Sequence, residues 1–447
     1  MQDLLVFIPL TVLIASALVT KKMAESMIAA TLVAMVMLHR GNFLSGTIDA
    51  FYATLANDSF HFVVLILVTF GGVIQLLQKS GALTGFGNLL ARFATTPKRS
   101  LLLAWLMAFI LFVDEFLNCL TVTFSMREIT DRNGIPREHL ALQSHFMACS
   151  LVLIVPFSSW TAFTVSLIGE NGLGFADYVK AIPFMFYPLL AVVLSLLLAM
   201  GVVPKVGMLK AAYRRVAEGG SVLVQEASGG SLVDIAEPDA ENVSPAIFAL
   251  VPIAVLVAGV LYFDNDLVYG LVVTLFVQFL MYVGSRRMTV SEFFSNFFDG
   301  VKSMTTLMVV IFFGLTLSSA NEALGFFDVL IGGVGGAVAP ELLPVMAFLL
   351  VGFCTFAVGG CWIVMLITFP IFLSLAAATG ASAVLVIAAI ISGISLGYCL
   401  CFYADAVFMA SAGTGISNLR VIKTVFPYAI ALTLLSCIGY LAAGHLL

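Results

Sequence analysis

Two adjacent carboxylates and an amide interrupt an apolar run. The heptapeptide FVDEFLN, residues 112–118, carries Asp114, Glu115 and Asn118 between Leu101 and Phe124. A charge at the bilayer centre costs about 2.5–3.5 kcal/mol even on a lenient insertion scale, so such groups mark ion, proton or solute paths. Burial favours a neutral carboxyl and a nearby cation favours the ionised form, so one group serves proton and metal ion in turn. Three further stretches have the same character. VPFSSWTAF (155–163) places Ser158, Ser159, Trp160 and Thr161 behind Pro156, and FAVGGCWIV (356–364) places Gly359 and Gly360 beside Trp362. CFYADAVF (401–408) holds Tyr403 and Asp405, and the SAGTG run that follows adds Ser411 and Thr414. Hydroxyls beside a helix break bind freed carbonyls or a cation, and a glycine pair exposes backbone groups where a hairpin turns. Asp405 has no Lys or Arg in its segment to pair with. Trp160, Trp362 and Tyr403 offer aromatic walls for a pocket, whereas His145 reads as a packing residue and Glu322 as a solvated one at an outer helix end.

Membrane helices must position these groups. Of 447 residues, 61% are hydrophobic and 10% charged, against about 25% charged in soluble domains. Mean hydropathy is +1.12. The chain is therefore polytopic and surrounded by lipid, not a soluble domain with an anchor. A net charge of −5 without a basic stripe argues against nucleic acid. The seven cysteines all fall in apolar segments and read as small buried side chains, not as disulfides or a metal site, with no histidine cluster beside Cys399 and Cys401. Leu4–Thr20 is followed by Lys21-Lys22 and a second apolar segment, which reads as a retained span.

Apolar segments fall at about 4–20, 23–39, 61–78, 100–125, 138–168, 181–203, 245–262, 266–284, 302–320, 341–379, 383–410 and 425–445. Residues 204–244 form the one long polar stretch, basic and then Gly/Ser-rich and acidic, and read as a flexible cytoplasmic linker. It divides a first transmembrane repeat (1–203) from a second (245–447). FGGVIQL (70–76) corresponds to FGLTLSS (313–319), VTFSM (122–126) to ITFPI (367–371), and YVKAIPF (178–184) to VIKTVFP (421–427), at nearly constant separation. Basic residues decide the relative orientation of the repeats. With segment 100–125 re-entrant and the second half inverted, 18 of 20 Lys and Arg are cytoplasmic, leaving only Arg40 and Lys180 outside. Twelve simple crossings would put Lys21, Lys22 and the Lys79–Arg99 cluster outside. The expected fold is an all-α polytopic membrane protein of two inverted-topology repeats, each with a re-entrant hairpin and a broken helix. Binding residues of such transporters meet at the midplane. An intramembrane aspartyl protease built on Asp114 and Asp405 fits the repeat poorly.

FVDEFLNCLTVTFSMREITDRNGIPREHLA resembles the NhaC-type sodium/proton antiporters of the ion transporter superfamily, whose pattern runs Phe-x-Asp-Asp-Tyr-x-Asn, then Met-Arg-x-x-Thr-Asp and Ile-x-Arg-Glu-x-Leu-Ala. VPFSSWTAF is similar to the family's Pro-x-Ser-Thr-Trp element, and the run Gly397–Thr414, with FPYAI beyond it, to its second-half signature. The resemblance implies inverted repeats, sodium or proton coupling without another cofactor, and Asp114, Asn118, Ser158 and Asp405 as sodium ligands. Similar transporters also lead one to expect a homodimer, and the inner (plasma) membrane is the expected location. Glu115, Phe116, Gly360-Cys361, Tyr398, Cys401-Phe402, Ala404 and Ala406 depart from the family pattern. Sodium favours oxygen ligands, and the second half carries fewer than the pattern does. Two readings stay open: sodium/proton antiport, and a sodium- or proton-coupled carrier of a small organic acid or amino acid.

Overall fold

The computed structural model describes every residue except 1–4, 21–22, 83–84, 87–88, 90–91, 113–114, 170, 225–242, 264–265, 327–328, 330–338, 359–360, 403 and 447. Asp114, Gly359, Gly360 and Tyr403 thus lie outside the described residues. Among the described residues there is no β-strand. The chain opens with α1 (Ile8–Thr20), α2 (Met23–His39), α3 (Phe43–Leu55) and α4 (Asp58–Lys79). There follow α5 (Pro97–Ile110), α6 (Glu115–Arg132), α7 (Arg137–Ile154), α8 (Ser159–Gly169), α9 (Phe175–Ala181) and α10 (Phe186–Met200). After α11 (Gly207–Ala217) come α12 (Ile247–Tyr262), α13 (Leu267–Gly284) and α14 (Val290–Ala323). The last group is α15 (Leu343–Val358), α16 (Cys361–Thr379), α17 (Ala383–Leu400), α18 (Asp405–Thr414) and α19 (Asn418–Leu446).

Length and composition suit three helical stretches for crossing a bilayer: Ala24–Leu55, Ala383–Leu400 and Asn418–Leu446. The pairs Arg137–Ile154 with Ser159–Gly169 and Phe175–Phe184 with Phe186–Met200 qualify as bent units, at 43° and 56°. The chain is a multi-pass membrane protein whose spans are partly broken. Segment 138–168 breaks where Pro156 stands, because proline lacks an N–H and drives the preceding residue out of helical geometry; Val155 is extended, at φ −90° and ψ 120°. Cys401 is likewise extended at the end of α17, at φ −72° and ψ 120°. Segments 100–125 and 341–379 each divide into two helices, α5/α6 and α15/α16.

The divisions recur with one spacing. Pro97 and Leu343, Glu115 and Cys361, Arg137 and Ala383, and Ser159 and Asp405 open corresponding helices 246 residues apart. The sequence matches suggested 243 to 245 and set Gly359-Gly360 opposite Asp114-Glu115. Among the described helix starts, Cys361, a buried thiol, stands 246 residues beyond Glu115.

Two packed groups are visible. Long α14 lies against α2 and α4, and α12 pairs with α13. The other group contains every broken element: α15 on α17, α6 on α7 and α18, α8 on α16, and α19 across α10 and α17. Helices in lipid gain little from the hydrophobic effect and approach closely through small residues. Gly397 of α17 shows this, since a Cβ there would stand 2.4 Å from the Gly352 carbonyl oxygen on α15. Gly413 plays the same part between α18 and α6, where a Cβ would fall 1.8 Å from Thr123 Oγ1.

The opening of the polar stretch is ordered, contrary to its reading as flexible linker. Residues 207–217 form α11, and its Arg215 donates to both carboxylate oxygens of Glu138, at 2.9 and 3.0 Å. Arg420 of α19 donates to the same carboxylate at 2.8 Å. Glu138 is fully buried. Nearby, Arg137 pairs with Asp131 at 2.8 Å and donates to the Thr414 carbonyl at 2.8 Å. His139 and the Tyr213 hydroxyl are 2.6 Å apart. Sequence spacing gave no sign of this network, because its partners are up to 282 residues apart. Removing one member of a buried charge cluster costs about 3–5 kcal/mol. Glu138→Gln is therefore expected to lower the unfolding temperature in detergent strongly, whereas removal of the exposed Glu128 carboxylate beside Arg132 is expected to leave it unchanged.

Candidate functional site

Four helices start at the breaks: Glu115 opens α6, Ser159 opens α8, Cys361 opens α16 and Asp405 opens α18. A helix start carries free N–H groups and partial positive charge, which suits the carboxylate of Glu115; the Asp405 side chain lies outside the described atoms. Glu115 is 2% exposed. Trp160 Nε1, in the first turn of α8, donates to Glu115 Oε2 at 2.6 Å. The indole stacks on Trp362 from α16, with centroids 4.3 Å apart. Phe163 meets Trp362 edge-on at 4.8 Å, and Tyr398 at the end of α17 lies 5.9 Å from Trp160. The cluster therefore joins α6, α8, α16 and α17, drawing on residues separated by more than 200 positions.

Asn118 lies one turn into α6 and is wholly buried. Its amide nitrogen donates to the carbonyls of Ala108 and Leu111, at 2.6 and 3.3 Å. These bonds fold α6 back on the end of α5 and satisfy carbonyls that the turn leaves free. Asn118 Oδ1 is buried and has no hydrogen-bond partner among the described residues. An acceptor without a donor in a dry interior is costly, and a bound cation satisfies it.

The hydroxyls of the α7/α8 break serve its backbone. Ser158 Oγ donates to the Val152 carbonyl at 2.5 Å and accepts from Thr161 N at 3.2 Å. Thr161 Oγ1 donates to the Val155 carbonyl at 2.9 Å, and the Tyr178 hydroxyl donates to the Leu153 carbonyl. A hydroxyl that has given its hydrogen away keeps lone pairs, so Ser158 retains the capacity to bind a cation. Ser159 is half-buried at the helix start.

Ser411 and Thr414 stand apart from this cluster. Ser411 Oγ donates to the Ile416 carbonyl and Thr414 Oγ1 to the Ala410 carbonyl, both at 2.5 Å. Thr414 is nine residues beyond Asp405, about 13 Å along the helix, and its carbonyl faces Arg137. They cap a helix end and do not join the aromatic cluster. Tyr178 was missed by sequence reasoning, which had no spacing signal for it, and Tyr398 was noted only as a departure from the family pattern. His145 was read as packing; its Nε2 lies 2.8 Å from the Cys399 carbonyl, so it also serves a broken helix end.

Asn118→Leu keeps the volume but abandons two buried carbonyls, each worth about 1–3 kcal/mol when unsatisfied. A marked fall in the unfolding temperature of detergent-solubilised protein is the expected result.

A family model described as the Na+/H+ antiporter family matches residues 151–445, the larger part of the chain. A Haemophilus influenzae protein described as uncharacterized is 24% identical over 477 residues, taking in 98% of this chain and 90% of that one. The crystal structure of the Alcanivorax borkumensis YdaH transporter shares the fold at a TM-score of 0.50 and 15% identity, over 91% of this chain and 89% of that one. MtrF of Neisseria gonorrhoeae, described with a class of antimetabolite efflux pumps, gives a TM-score of 0.47 at 15% identity over 89% and 84% of the two chains. A secondary transporter, not an enzyme, this chain belongs to the Na+/H+ antiporter family.

Proposed function

We propose that the protein exchanges sodium for protons across the inner (plasma) membrane, through two inverted repeats joined by a cytoplasmic linker and assembled as a homodimer. The observation that carries the reading is the juxtaposition of the buried Glu115 carboxylate with the donorless Asn118 Oδ1 on the same helix turn. One carboxylate and one amide oxygen suit a hard cation. Asp114, Ser158 and Asp405 complete the proposed ligand set.

In this reading the neutral carboxyls release their protons as an incoming sodium ion binds the carboxylates that remain. On the other side, proton uptake neutralises the carboxylates and releases the ion. A proton and a sodium ion thus compete for the same oxygens, which makes exchange obligatory without two separate pathways. The Trp160 bond holds the Glu115 carboxylate in one orientation, and the stack on Trp362 ties that orientation to the opposite half.

A second reading rests on the second half. Cys361, Cys401, Ala404 and Ala406 are buried where the family pattern has oxygen-bearing side chains. Small apolar surfaces beside aromatic faces suit the carbon skeleton of an organic acid or amino acid.

Reconstitution in liposomes separates the two. Sodium-driven proton flux without any organic solute is expected, and Glu115→Gln and Asp114→Asn are each expected to reduce it to background while the protein still elutes as a single species. Flux that appears only with an added carboxylate or amino acid would replace antiport by the carrier reading.

A further inference from the structure

His145 and Cys149 are four residues apart on α7 and so share one helix face. Across from them stands Cys399, near the end of α17. The ligand atoms of these three residues all lie within 4.8 Å of one another. Cys149 Sγ is 3.9 Å from each imidazole nitrogen. All three side chains are buried, at 0%, 1% and 0% exposure. The sequence reading looked for a histidine cluster beside Cys399 and Cys401; the fold instead brings the single His145 to Cys149 and Cys399.

Three features point to a ligand. First, the donors are soft: two thiols and an imidazole select thiophilic d10 ions over sodium, calcium or magnesium. Second, His145 Nε2 contacts the Cys399 carbonyl at 2.8 Å. Donation from that nitrogen leaves the Nδ1 lone pair for a metal, and this is the usual outer contact of a metal-bound histidine. Third, the buried Tyr187 hydroxyl on α10 reaches the Cys399 thiol and can donate to its thiolate form, an outer contact of the kind that supports a metal-bound sulfur. Metal–sulfur bonds of about 2.3 Å and metal–nitrogen bonds of about 2.0 Å place neighbouring donors about 3.5–4 Å apart. Separations of at most 4.8 Å need contraction of no more than about 1.3 Å to reach that range.

We propose that His145, Cys149 and Cys399 form a site for one thiophilic d10 metal ion that bridges the two broken helices. Binding a divalent ion replaces two thiol protons, which leave to solvent, and the imidazole binds in its neutral form. The bridged residues lie just before the two breaks, 155–158 and 401–404. An ion there ties α7 to α17, the helices that lead into those breaks. The site is distinct in chemistry from the oxygen ligands proposed for sodium, and its test does not depend on the cargo.

The probe is Cd2+ added to the purified full-length protein, followed by removal of unbound ion. One retained ion per chain is expected, with thiolate-to-cadmium charge-transfer absorbance and an X-ray absorption shell of two sulfurs and one nitrogen. Cys149→Ser and Cys399→Ser are each expected to weaken retention at least tenfold, while Cys354→Ser and Cys437→Ser leave it unchanged. No retained ion, an oxygen-only shell, or retention that survives the double Cys149→Ser/Cys399→Ser change overturns the proposal. Where a variant does not fold, the absorption shell of the unaltered protein decides.

Discussion

A bilayer interior offers no water to a helix that stops halfway, and the broken elements of this protein are organised around that fact. Each interruption frees carbonyls that must find donors inside the protein. At the end of α5 the donor is the Asn118 amide. At the end of α7, Ser158, Thr161 and Tyr178 together serve Val152, Val155 and Leu153. At the end of α17 the contact is His145, reaching across from α7. Polar residues near the breaks thus have a structural duty before any functional one. Atoms left over from that duty include Asn118 Oδ1 and the hydroxyl lone pairs.

The two halves exchange support. The short helix after each break packs on the hairpin of the other half: α8 lies against α16, and α18 against α6. The Trp160–Trp362 stack and the Thr123–Gly413 contact mark these two crossings. Arg137, at the start of α7, holds the carbonyl at the far end of α18. A site made of helix starts from both halves is therefore rigid only when both are present.

Much of this was legible in the sequence, because its cause is local. Pro156 in a 31-residue apolar segment announces a break, and polar FVDEFLN in an apolar run announces a turn. The division of segments 100–125, 138–168 and 341–379 into shorter helices follows from those local signals. What escaped notice depends on contacts across the fold. Glu138 reads as the first-turn acid of a helix, yet it is held by guanidiniums 77 and 282 residues away. His145 and Cys399 are 254 residues apart.

The bond between Trp160 and Glu115 has an optical consequence. The chain contains three tryptophans, and two of them form the stack beside this carboxylate. The third, Trp105, donates to the Val192 carbonyl and stacks on Phe109, away from the cluster. Indole emission responds to nearby charge and hydrogen bonding, and here the indole N–H is given directly to the group whose ionisation is at issue. The protein consequently carries a buried native fluorophore whose N–H is bonded to a single carboxyl group, with a second indole stacked against it.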